Sequence, residues 1–446
     1  MNPFGTLVTH DNAAAHKQGR SPNKGRHMTP PDNQDPLRIC LLSYRSNPHC
    51  GGQGVYIKNL SRALKDLGHH VEVVSGPPDP QLDDDIICHR LPCLDLYNPD
   101  DLFRMPSLKE LSDPVNLMEW VGISTMGFTE PFTFGLRAYR FLKDRFHRYD
   151  IVHDNQCLSY GLWAIKRLVP TTVTIHHPIT VDRRLAIRAA RSPWKKLQTR
   201  RWYSFVGMQK RVAQRLSPLI TVSESARRDI AKEFRLPVQN LRVVPNGIKT
   251  DLFYPMPKIA REKNLIIVTN SADTALKGLS HLLLAIAELA KTRRDLKLMV
   301  VGAPQKNGAV ARLINELGIG RLVSFTGHID QGAFVRLYAR ATMAVVPSLY
   351  EGFGIPAGEA MACGVPVIST TGGALPEVVG DAGVLVPPAD AGALARAIGE
   401  LLDNPARARQ LGEAGLQRVR ASFTWAKAAQ KTVEVYRETI RDHRRS

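Results

Sequence analysis

The sequence predicts an α/β protein with two domains, each built on a parallel sheet whose strands alternate with helices. The chain has 446 residues, 43% of them hydrophobic, so it is long enough for two separate cores. Short apolar runs alternate with stretches of helical periodicity, which is typical of a parallel sheet covered by helices. The alternation stops after Asn246-Gly247 and restarts near Asn264. Two such domains leave a cleft at the carboxyl ends of their strands, where ligands bind.

The chain begins with a basic tail, residues 1–36, that we expect to be disordered. It is rich in Asn, Pro, Gly, His and basic residues, and its apolar residues show no period. Met28 inside this tail is a second candidate start of translation. Beyond the tail we predict a strand, a glycine-rich loop, a helix closed by Gly68 and a second strand, at 37–43, 47–54, 56–67 and 70–75.

The first domain is predicted to span residues 37–250. The stretch 80–148 supplies apolar and aromatic residues without a clean period, so it predicts no particular element. After it, four further apolar runs predict strands at 149–153, 171–175, 219–222 and 241–244.

The second domain is predicted to span residues 251–420. One of its helices begins behind Asp390, a side chain that caps helix N-termini well. Its strands are expected at six apolar runs, 265–269, 296–301, 322–325, 343–347, 365–369 and 384–386. An amphipathic stretch then predicts a C-terminal helix in 421–446, which we expect to cross back to the first domain.

Positive charge is concentrated in one segment of a chain whose 60 basic and 41 acidic residues give a net charge of +19. Residues 183–216 hold many basic side chains, with aromatic residues between them and no acidic one. This composition predicts contact with an anionic membrane surface. The residues expected to make that contact are Arg188, Lys195, Lys196, Arg200, Arg201 and Trp202.

The basic segment has two other interpretations. A solvated helix, or one that pairs with acidic residues elsewhere, stays an equal alternative to the membrane surface. Nucleic-acid binding would also explain the charge, but no recognised motif accompanies it, so we expect no nucleic-acid partner.

The sequence also bears on the compartment. It contains no apolar run near the roughly 18 to 20 residues of a spanning helix and no secretory signal pattern near Met1. Its six cysteines form no C-x-x-C pair, which suits reduced thiols. We therefore expect a cytoplasmic protein, with peripheral attachment at the inner face of the membrane as the corollary of the basic segment.

The sharpest local signal is the segment SLYEGFGIPAGEAMACGVPVI, residues 348–368. It runs from a predicted strand through a glycine loop into a helix. Gly352 and Gly354 leave backbone amides uncovered, and Pro356 suits the first helical turn. The helix N-terminus is therefore predicted to receive an anion.

Two carboxylates accompany this helix, Glu351 in the loop and Glu359 in its first turns. Carboxylates are poor ligands for phosphate but good acceptors for hydroxyl groups, which a sugar nucleotide offers. The alternative interpretation is a capped helix with an ordinary surface glutamate.

With these residues the sequence resembles the retaining glycosyltransferase family 4, whose members have the GT-B architecture of two Rossmann-like domains. The motif that carries the resemblance is E-x7-E, here Glu351 and Glu359. Supporting matches follow in family order over roughly residues 37 to 440, at 51–54, 151–153, 174–176, 222–225, 244–248, 277–278, 325–329, 372–373 and 376–377.

The resemblance implies what the protein does. We expect a metal-independent transferase that moves a hexose-type sugar from a nucleotide diphosphate sugar to a glycan, lipid or lipid-linked acceptor. No cofactor is implied, because the nucleotide sugar is a substrate. Asp83-Asp84-Asp85 is interpreted as a solvated loop and not as a metal site.

The resemblance also implies residue roles. The catalytic group is expected to comprise Glu351 at the donor sugar hydroxyls, Lys277 at the diphosphate and His176 beside the reacting centre. Glu359 is expected to hold the nucleotide ribose. The other expected donor-binding residues are Gly52, Gly54, Ser271, Ile329, Phe353, Gly354 and Ile355.

These roles agree with the electrostatics of the reaction. Breaking a sugar nucleotide builds positive charge on the anomeric carbon and negative charge on the departing diphosphate, so cations and amide donors are needed at the phosphate. A front-face mechanism, in which the leaving phosphate accepts the acceptor's proton, needs no protein nucleophile. Neither glutamate is therefore assigned as one.

One position departs from the family pattern. Many members carry an arginine six residues before the motif lysine, which completes a diphosphate clamp, whereas this chain has Ser271. Two rival functions stay open. One is a glycoside phosphorylase on the same fold, and the other, which the departure at Ser271 suggests, is a non-catalytic membrane-associated partner with a decayed donor site.

Overall fold

The computed structural model of the chain describes residues 35–46, 52–96, 101, 104–190, 192–269, 275–303 and 308–445, without the side chains of Leu185 and Ala189. Nearly all of the predicted tail therefore lies outside the described residues, as does Ser271. Within these ranges, no helix has both the length and the apolar content that crossing a membrane requires.

The first sheet has, in the described part of the chain, seven parallel strands in the order β3-β2-β1-β4-β5-β6-β7. They are β1 (Arg38–Ser43), β2 (His70–Ser75), β3 (Ile87–Arg90), β4 (Ile151–Asn155), β5 (Thr171–Ile175), β6 (Leu219–Thr221) and β7 (Leu241–Val243). The strand order reverses between β1 and β4, so their carboxyl ends form the crevice in which such sheets bind ligands.

Helices connect these strands. They are α1 (Gly52–Asp66), α2 (Leu108–Leu111), α3 (Pro114–Ser124), α4 (Glu130–Leu142), α5 (Gly161–Lys166), α6 (Ile179–Ala189), α7 (Pro193–Trp202), α8 (Val206–Ala213) and α9 (Glu224–Phe234). Gly68 ends the connection after α1 with a φ of 88°, a conformation that favours glycine. Ser223 caps α9, since its hydroxyl accepts a hydrogen bond from the N–H of Ala226 at 3.0 Å.

The second sheet has, among the described residues, six parallel strands in the order β10-β9-β8-β11-β12-β13. The strands are β8 (Leu265–Thr269), β9 (Lys297–Val301), β10 (Val323–Phe325), β11 (Met343–Val346), β12 (Val367–Thr370) and β13 (Val384–Val386). Its helices are α10 (Leu279–Ala290), α11 (Ala309–Glu316), α12 (Gln331–Arg340), α13 (Ile355–Ala362), α14 (Leu375–Val379), α15 (Ala391–Asp403) and α16 (Pro405–Ser422). Asp390 caps α15 as predicted, accepting from the N–H of Ala393 at 2.8 Å.

The last helix, α17 (Trp425–Arg445), packs on the first sheet. Its buried residues join β1, β2 and α1 in one apolar cluster that includes Leu41, Leu60, Val433, Tyr436 and Ile440. The helix therefore supplies core side chains to a sheet whose strands lie far away in the sequence. The domain limits themselves stay a prediction.

The two-sheet α/β fold predicted from the sequence is confirmed, with two differences in detail. The predicted loop 47–54 is wrong at its end, because Gly52 to Gly54 form the first turn of α1. The aperiodic stretch 80–148 contains β3 and the helices α2 to α4. The sequence pattern did not predict β3, because this strand lies at the sheet edge, where its four residues ICHR are half-buried or exposed.

The two sheets meet through polar contacts between their loops and helix ends. The carboxylate of Glu377 accepts from the backbone N–H groups of Glu224 and Ser225, both at 2.7 Å, and so covers the N-terminus of α9. The hydroxyl of Tyr350 donates to Asp229 at 2.7 Å. These contacts align the carboxyl ends of the two sheets along one cleft.

Candidate active site

The glycine loop after β11 leads into α13 at the cleft. Gly354 has a φ of 106°, and a Cβ there would lie 2.8 Å from the side chain of Leu375, so this turn requires glycine. Phe353 is buried with its ring edge-on to Phe423, which anchors the loop. In the first turn of α13, Pro356 lacks an N–H, and the N–H of Ala357 already donates to the carbonyl of Gly354 at 3.1 Å. The positive end of the helix dipole remains to favour an anion beside Glu351.

Lys277 and Glu351 form an ion pair in this loop. The ammonium Nζ of Lys277 lies 2.7 Å from the Oε1 of Glu351, and the hydroxyl of Ser348 donates to the same oxygen at 2.8 Å. The side chains are 29% and 12% exposed, so the pair lies at the cleft surface and a ligand can reach it. Gly278, with a φ of 67°, allows the lysine turn to pack against the Pro347 carbonyl, which a Cβ would approach to 1.9 Å.

Glu359 lies in α13, and its environment differs from that of Glu351. Burial raises the pKa of Glu359 to about 8, because the carboxylate loses water. No charge or hydrogen bond from the described residues opposes this shift. At neutral pH such a carboxyl group is mostly protonated, so it can donate one hydrogen bond to a ligand hydroxyl and accept others.

His176 follows β5 on the other side of the cleft. Its Nε2 lies 2.7 Å from the Oδ1 of Asn155, and its ring meets Tyr56 edge-on at 4.7 Å between centroids. The backbone N–H of His176 donates to the Oε1 of Gln156 at 2.7 Å. Burial, together with the neighbouring His177 and His153, lowers the pKa of His176 to about 3, which keeps the imidazole neutral.

The two sides of the cleft touch at Gly352. A Cβ at this position would lie 3.0 Å from the carbonyl oxygen of His176 and 3.4 Å from the Cβ of His177. The carbonyl of Gly352 accepts a hydrogen bond from the hydroxyl of Ser223 at 2.8 Å. His176 is therefore held beside the loop that carries Glu351, and through Glu351 beside Lys277.

Comparison with known proteins identifies this arrangement. The profile described as Glycosyltransferase Family 4 matches residues 50–252, and the profile described as Glycosyl transferases group 1 matches residues 255–418. The chain is 47% identical to the MMP alpha-(1->4)-mannosyltransferase of Mycolicibacterium hassiacum, over 91% of this chain and 98% of that protein. The chain belongs to glycosyltransferase family 4. The resemblance found in the sequence is thereby confirmed, and the protein is a glycosyltransferase.

Two further comparisons agree with the family assignment. The glycosyltransferase is 30% identical to D-inositol 3-phosphate glycosyltransferase 2 of Catenulispora acidiphila, over 92% of this chain and 96% of that protein. Among solved structures it is similar to sucrose-phosphate synthase from Thermosynechococcus elongatus, with a TM-score of 0.69 and 26% identity. That match covers 90% of this chain and 98% of the other, and it confirms the GT-B architecture.

The structure of the glycosyltransferase brings the three expected catalytic residues to one part of the cleft. His176, Lys277 and Glu351 are connected by the contact at Gly352 and by the ion pair. The expected donor-binding residues Phe353, Gly354, Ile355 and Glu359 lie in the loop and helix that follow Glu351. Their roles stay predictions.

The remaining expected donor-binding residues belong to other parts of the chain. Gly52 and Gly54 are in the first turn of α1, and the carbonyl of Gln53 between them accepts from the Nδ2 of Asn155 at 3.2 Å. Ile329 lies between β10 and α12, at the carboxyl edge of the second sheet. Ser271 lies outside the described residues, so its departure from the family pattern stays an observation on the sequence alone.

Two residues of the site were missed by the sequence analysis. Asn155 bonds the imidazole of His176, and Gln156 bonds the backbone on both sides of it, since its Nε2 also donates to the carbonyl of His177 at 3.3 Å. The available signal was their place in the sequence, as polar residues at the carboxyl end of a buried strand. The predicted strand ended at His153, two residues too early to show it.

The residues expected at the acceptor or membrane surface lie on α6 and α7. Arg188, Lys195, Lys196 and Arg200 have exposed side chains. Arg201 donates to the hydroxyl of Thr125 at 2.8 Å and to that of Ser204 at 3.1 Å, and Trp202 stacks on Phe128 at 5.2 Å. Within the described part of this basic segment, Arg184 forms an ion pair with Glu233.

The grouping of potential metal-binding side chains bears on the expectation that the enzyme needs no metal. Among the described residues, no three His, Cys, Asp or Glu side chains are grouped to hold a metal ion. Asp83 and Asp85 of the acidic run instead pair with Arg62 and Lys65, at 3.2 and 2.8 Å. Metal independence stays an expectation.

Proposed function

We propose that this glycosyltransferase moves mannose from an α-linked nucleoside diphosphate mannose to a hydroxyl group of a glycan acceptor, with retention at the anomeric carbon. The observation that carries the proposal is the approach of His176, at Gly352, to the loop that presents Glu351 and its partner Lys277. The choice of mannose rests on the name of the relative that is 47% identical, an alpha-(1->4)-mannosyltransferase, and we propose the same linkage here.

Each charged group has a defined task in this proposal. The carboxylate of Glu351 accepts hydroxyl groups of mannose, and Glu359 accepts those of the ribose. Lys277 and the positive end of the α13 dipole stabilise the diphosphate as its charge grows. In the free enzyme Lys277 and Glu351 neutralise each other. When the donor binds, this ion pair is replaced by two contacts to the donor, from Glu351 to its sugar and from Lys277 to its diphosphate.

The reaction balances without a resident cofactor. The bond between the anomeric carbon and the diphosphate oxygen breaks, and a bond from that carbon to the acceptor oxygen forms on the same face. The proton of the acceptor hydroxyl passes to the departing phosphate. No metal ion is required, because Lys277 and the positive end of the α13 dipole face the developing charge.

The experiment that tests the proposal has two stages. Thermal unfolding of the purified protein is measured with UDP, GDP, ADP and their mannose conjugates, and one nucleotide is expected to raise the midpoint selectively. That donor is then supplied with mannose oligosaccharides, and the product linkage is read by mass spectrometry and the anomeric proton signal. Inorganic phosphate consumption without nucleotide release would indicate the phosphorylase instead. A flat panel with a folded protein would contradict the proposal.

We also propose that the enzyme attaches to an anionic membrane surface by one face of α3 and α7. The two helices are adjacent, since the amide of Gln198 donates to the sulfur of Met126 at 3.3 Å. Trp194 and Leu197 in α7 are 60% and 54% exposed, next to basic side chains. On α3, Leu117, Met118 and Val121 are exposed as well. Apolar side chains bordered by cations suit a lipid headgroup region.

Vesicle co-sedimentation tests this attachment. Vesicles of phosphatidylglycerol are expected to retain the enzyme at low salt, whereas phosphatidylcholine vesicles are not. Trp194→Ala with Leu197→Ala should weaken retention without changing mannose transfer to a soluble acceptor. Equal retention of the wild type by both lipids, or of the variant and the wild type, would contradict a membrane role for this face.

A further inference from the structure

The side chains behind His176 form one polar row on a single face of the first sheet. Strands β4 and β5 are paired so that Asn155 lies opposite Thr174. Side chains two residues apart in a strand share a face, so His153, Asn155, Thr174 and His176 all point toward the same side. Ser43, at the carboxyl end of β1, belongs to this face as well, because Leu41 is paired with His153.

Two sets of hydrogen bonds link members of the row, and the ring contact between Tyr56 and His176 joins the two sets. His153 contacts the hydroxyl of Tyr436 through Nδ1 at 2.6 Å and that of Thr174 through Nε2 at 2.7 Å. The hydroxyl of Tyr56 lies 2.9 Å from the same Thr174 oxygen, and its ring packs on His176. The imidazole of His176 is therefore restrained by an aromatic contact on one side.

Asn155 provides the second restraint. Its amide nitrogen donates to the Ser43 hydroxyl and to the carbonyl of Gln53, both at 3.2 Å, which fixes which end of the amide is oxygen. The oxygen then faces His176 Nε2 at 2.7 Å and can only accept. The histidine must carry its proton on Nε2, so Nδ1 is left as the basic nitrogen.

Hydrogen bonds hold the backbone after Asn155 in a strained conformation. Gln156 and Leu158 have φ values of 57° and 52°, a region that side-chain-bearing residues rarely adopt. The amide of Gln209 donates to the carbonyls of Gln156 and Cys157, at 3.1 and 3.2 Å, and the carboxylate of Asp154 accepts from the N–H of Leu158 at 2.9 Å. Such strained backbone persists where the surroundings determine it, and here it directs Asn155 and Gln156 toward His176.

We propose that Asn155 is a positioning residue of the transferase reaction, which fixes the Nε2-protonated tautomer and the ring orientation of His176 beside the donor sugar. The inference rests on the proposed function for its activity readout. Asn155 also contacts the first turn of α1, because the same amide donates to the carbonyl of Gln53. Donor-side glycines and the histidine are thus held by one side chain.

The groups that face His176 define how its charge responds to a change at Asn155. Tyr56 from α1 and His153 from β4 are close on the buried side, and His177, which is paired with Asp182 of α6, is its chain neighbour. Across the cleft lies Gly352, next to the pair of Glu351 and Lys277. A carboxylate in place of the Asn155 amide would add the negative charge nearest to the ring and stabilise the imidazolium.

Two variants of Asn155 separate positioning from stability. Asn155→Ala removes the acceptor, and we expect kcat to fall about 10-fold to 100-fold while the donor KM stays within about 3-fold. Asn155→Asp keeps an acceptor but adds charge, so transfer should gain an acidic limb near pH 6 that the wild type lacks. Asn59→Ala is the matched control, because it also removes an amide-to-carbonyl bond, to Val55 at 2.7 Å, and should leave transfer unchanged.

Histidine-selective ¹⁵N NMR gives a readout that does not depend on activity. The His176 signals, identified by their loss in His176→Asn, should show the Nε2-protonated tautomer in the wild type and a tautomer mixture in Asn155→Ala. Wild-type kcat in Asn155→Ala, or the same tautomer in both proteins, would overturn the proposal. A wild type without mannose transfer but with the expected NMR change would contradict the proposed function and leave the positioning role standing.

Discussion

The two sides of the cleft are built by different physical means. On the side of the second sheet, the site consists of an ion pair and a helix N-terminus, so charge is present before a ligand arrives. On the side of the first sheet, His176 is neutral and is fixed by neutral hydrogen bonds and an aromatic contact. One side is suited to hold a charged donor, and the other to place a group accurately beside it.

The largest effect is expected on the charged side. Lys277→Ala removes the cation at the proposed diphosphate position, and we expect kcat to fall about 100-fold to 1,000-fold. Glu351→Ala should abolish most transfer as well. Lys291→Ala removes a surface lysine that pairs with Glu288 and serves as the control. Thermal midpoints within about 4 °C of the wild type would assign the losses to chemistry. Wild-type turnover in either site variant would remove the assignment.

A smaller effect is expected where the two sides touch. Gly352→Ala would put a Cβ 3.0 Å from the His176 carbonyl, so the sides must separate by a few tenths of an ångström. We expect kcat to fall about 10-fold, because reacting groups tolerate little displacement. Gly207→Ala, whose Cβ meets nothing within 4 Å, should leave steady-state kinetics unchanged. Equal kcat in the two variants would mean that this contact does not set the catalytic geometry.

The two sides should also respond to pH in opposite directions. The pKa of His176 is lowered from 6.5 to about 3, so the unfolded chain binds more protons in that window and His176 makes stability rise with pH. The pKa of Glu359 is raised from 4.5 to about 8, so Glu359 makes stability fall as pH rises through that window. Thermal midpoints of His176→Asn and Glu359→Gln, measured against the wild type from pH 5 to 8, should diverge by about 2–4 °C. Parallel curves would contradict the contrast between the two sides.

The smallest effect is expected behind the histidine. Tyr436→Phe removes the hydroxyl that His153 contacts at 2.6 Å, and a buried polar atom left unpaired costs about 1–3 kcal/mol. We expect the thermal midpoint to fall by a few degrees while kcat stays within about 2-fold of the wild type. A kcat loss as large as that of Asn155→Ala would show that restraint on His176 extends through the whole row.

The same contrast explains what could be predicted from the sequence. Glu351 and Glu359 lie in a glycine-marked junction between a strand and a helix, so the local sequence was enough to select them, whereas Lys277 was selected through the family resemblance. Asn155 and Gln156 carry no such mark, because their importance comes from strand register and from partners such as Gln209 that are distant in the chain. Strand β3 was missed for a related reason, since an edge strand has no continuous apolar run.

The helix α17 has a consequence for how the protein is made. Its side chains, including Tyr436 and Ile440, close the apolar face formed by β1, β2 and α1, which leave the ribosome several hundred residues earlier. That face therefore stays exposed until α17 has been synthesised, and nascent chains can aggregate during such an interval. Contacts this distant in sequence also slow folding. Helix α17 is translated after every strand of the two described sheets, and it completes the apolar cover of the first one.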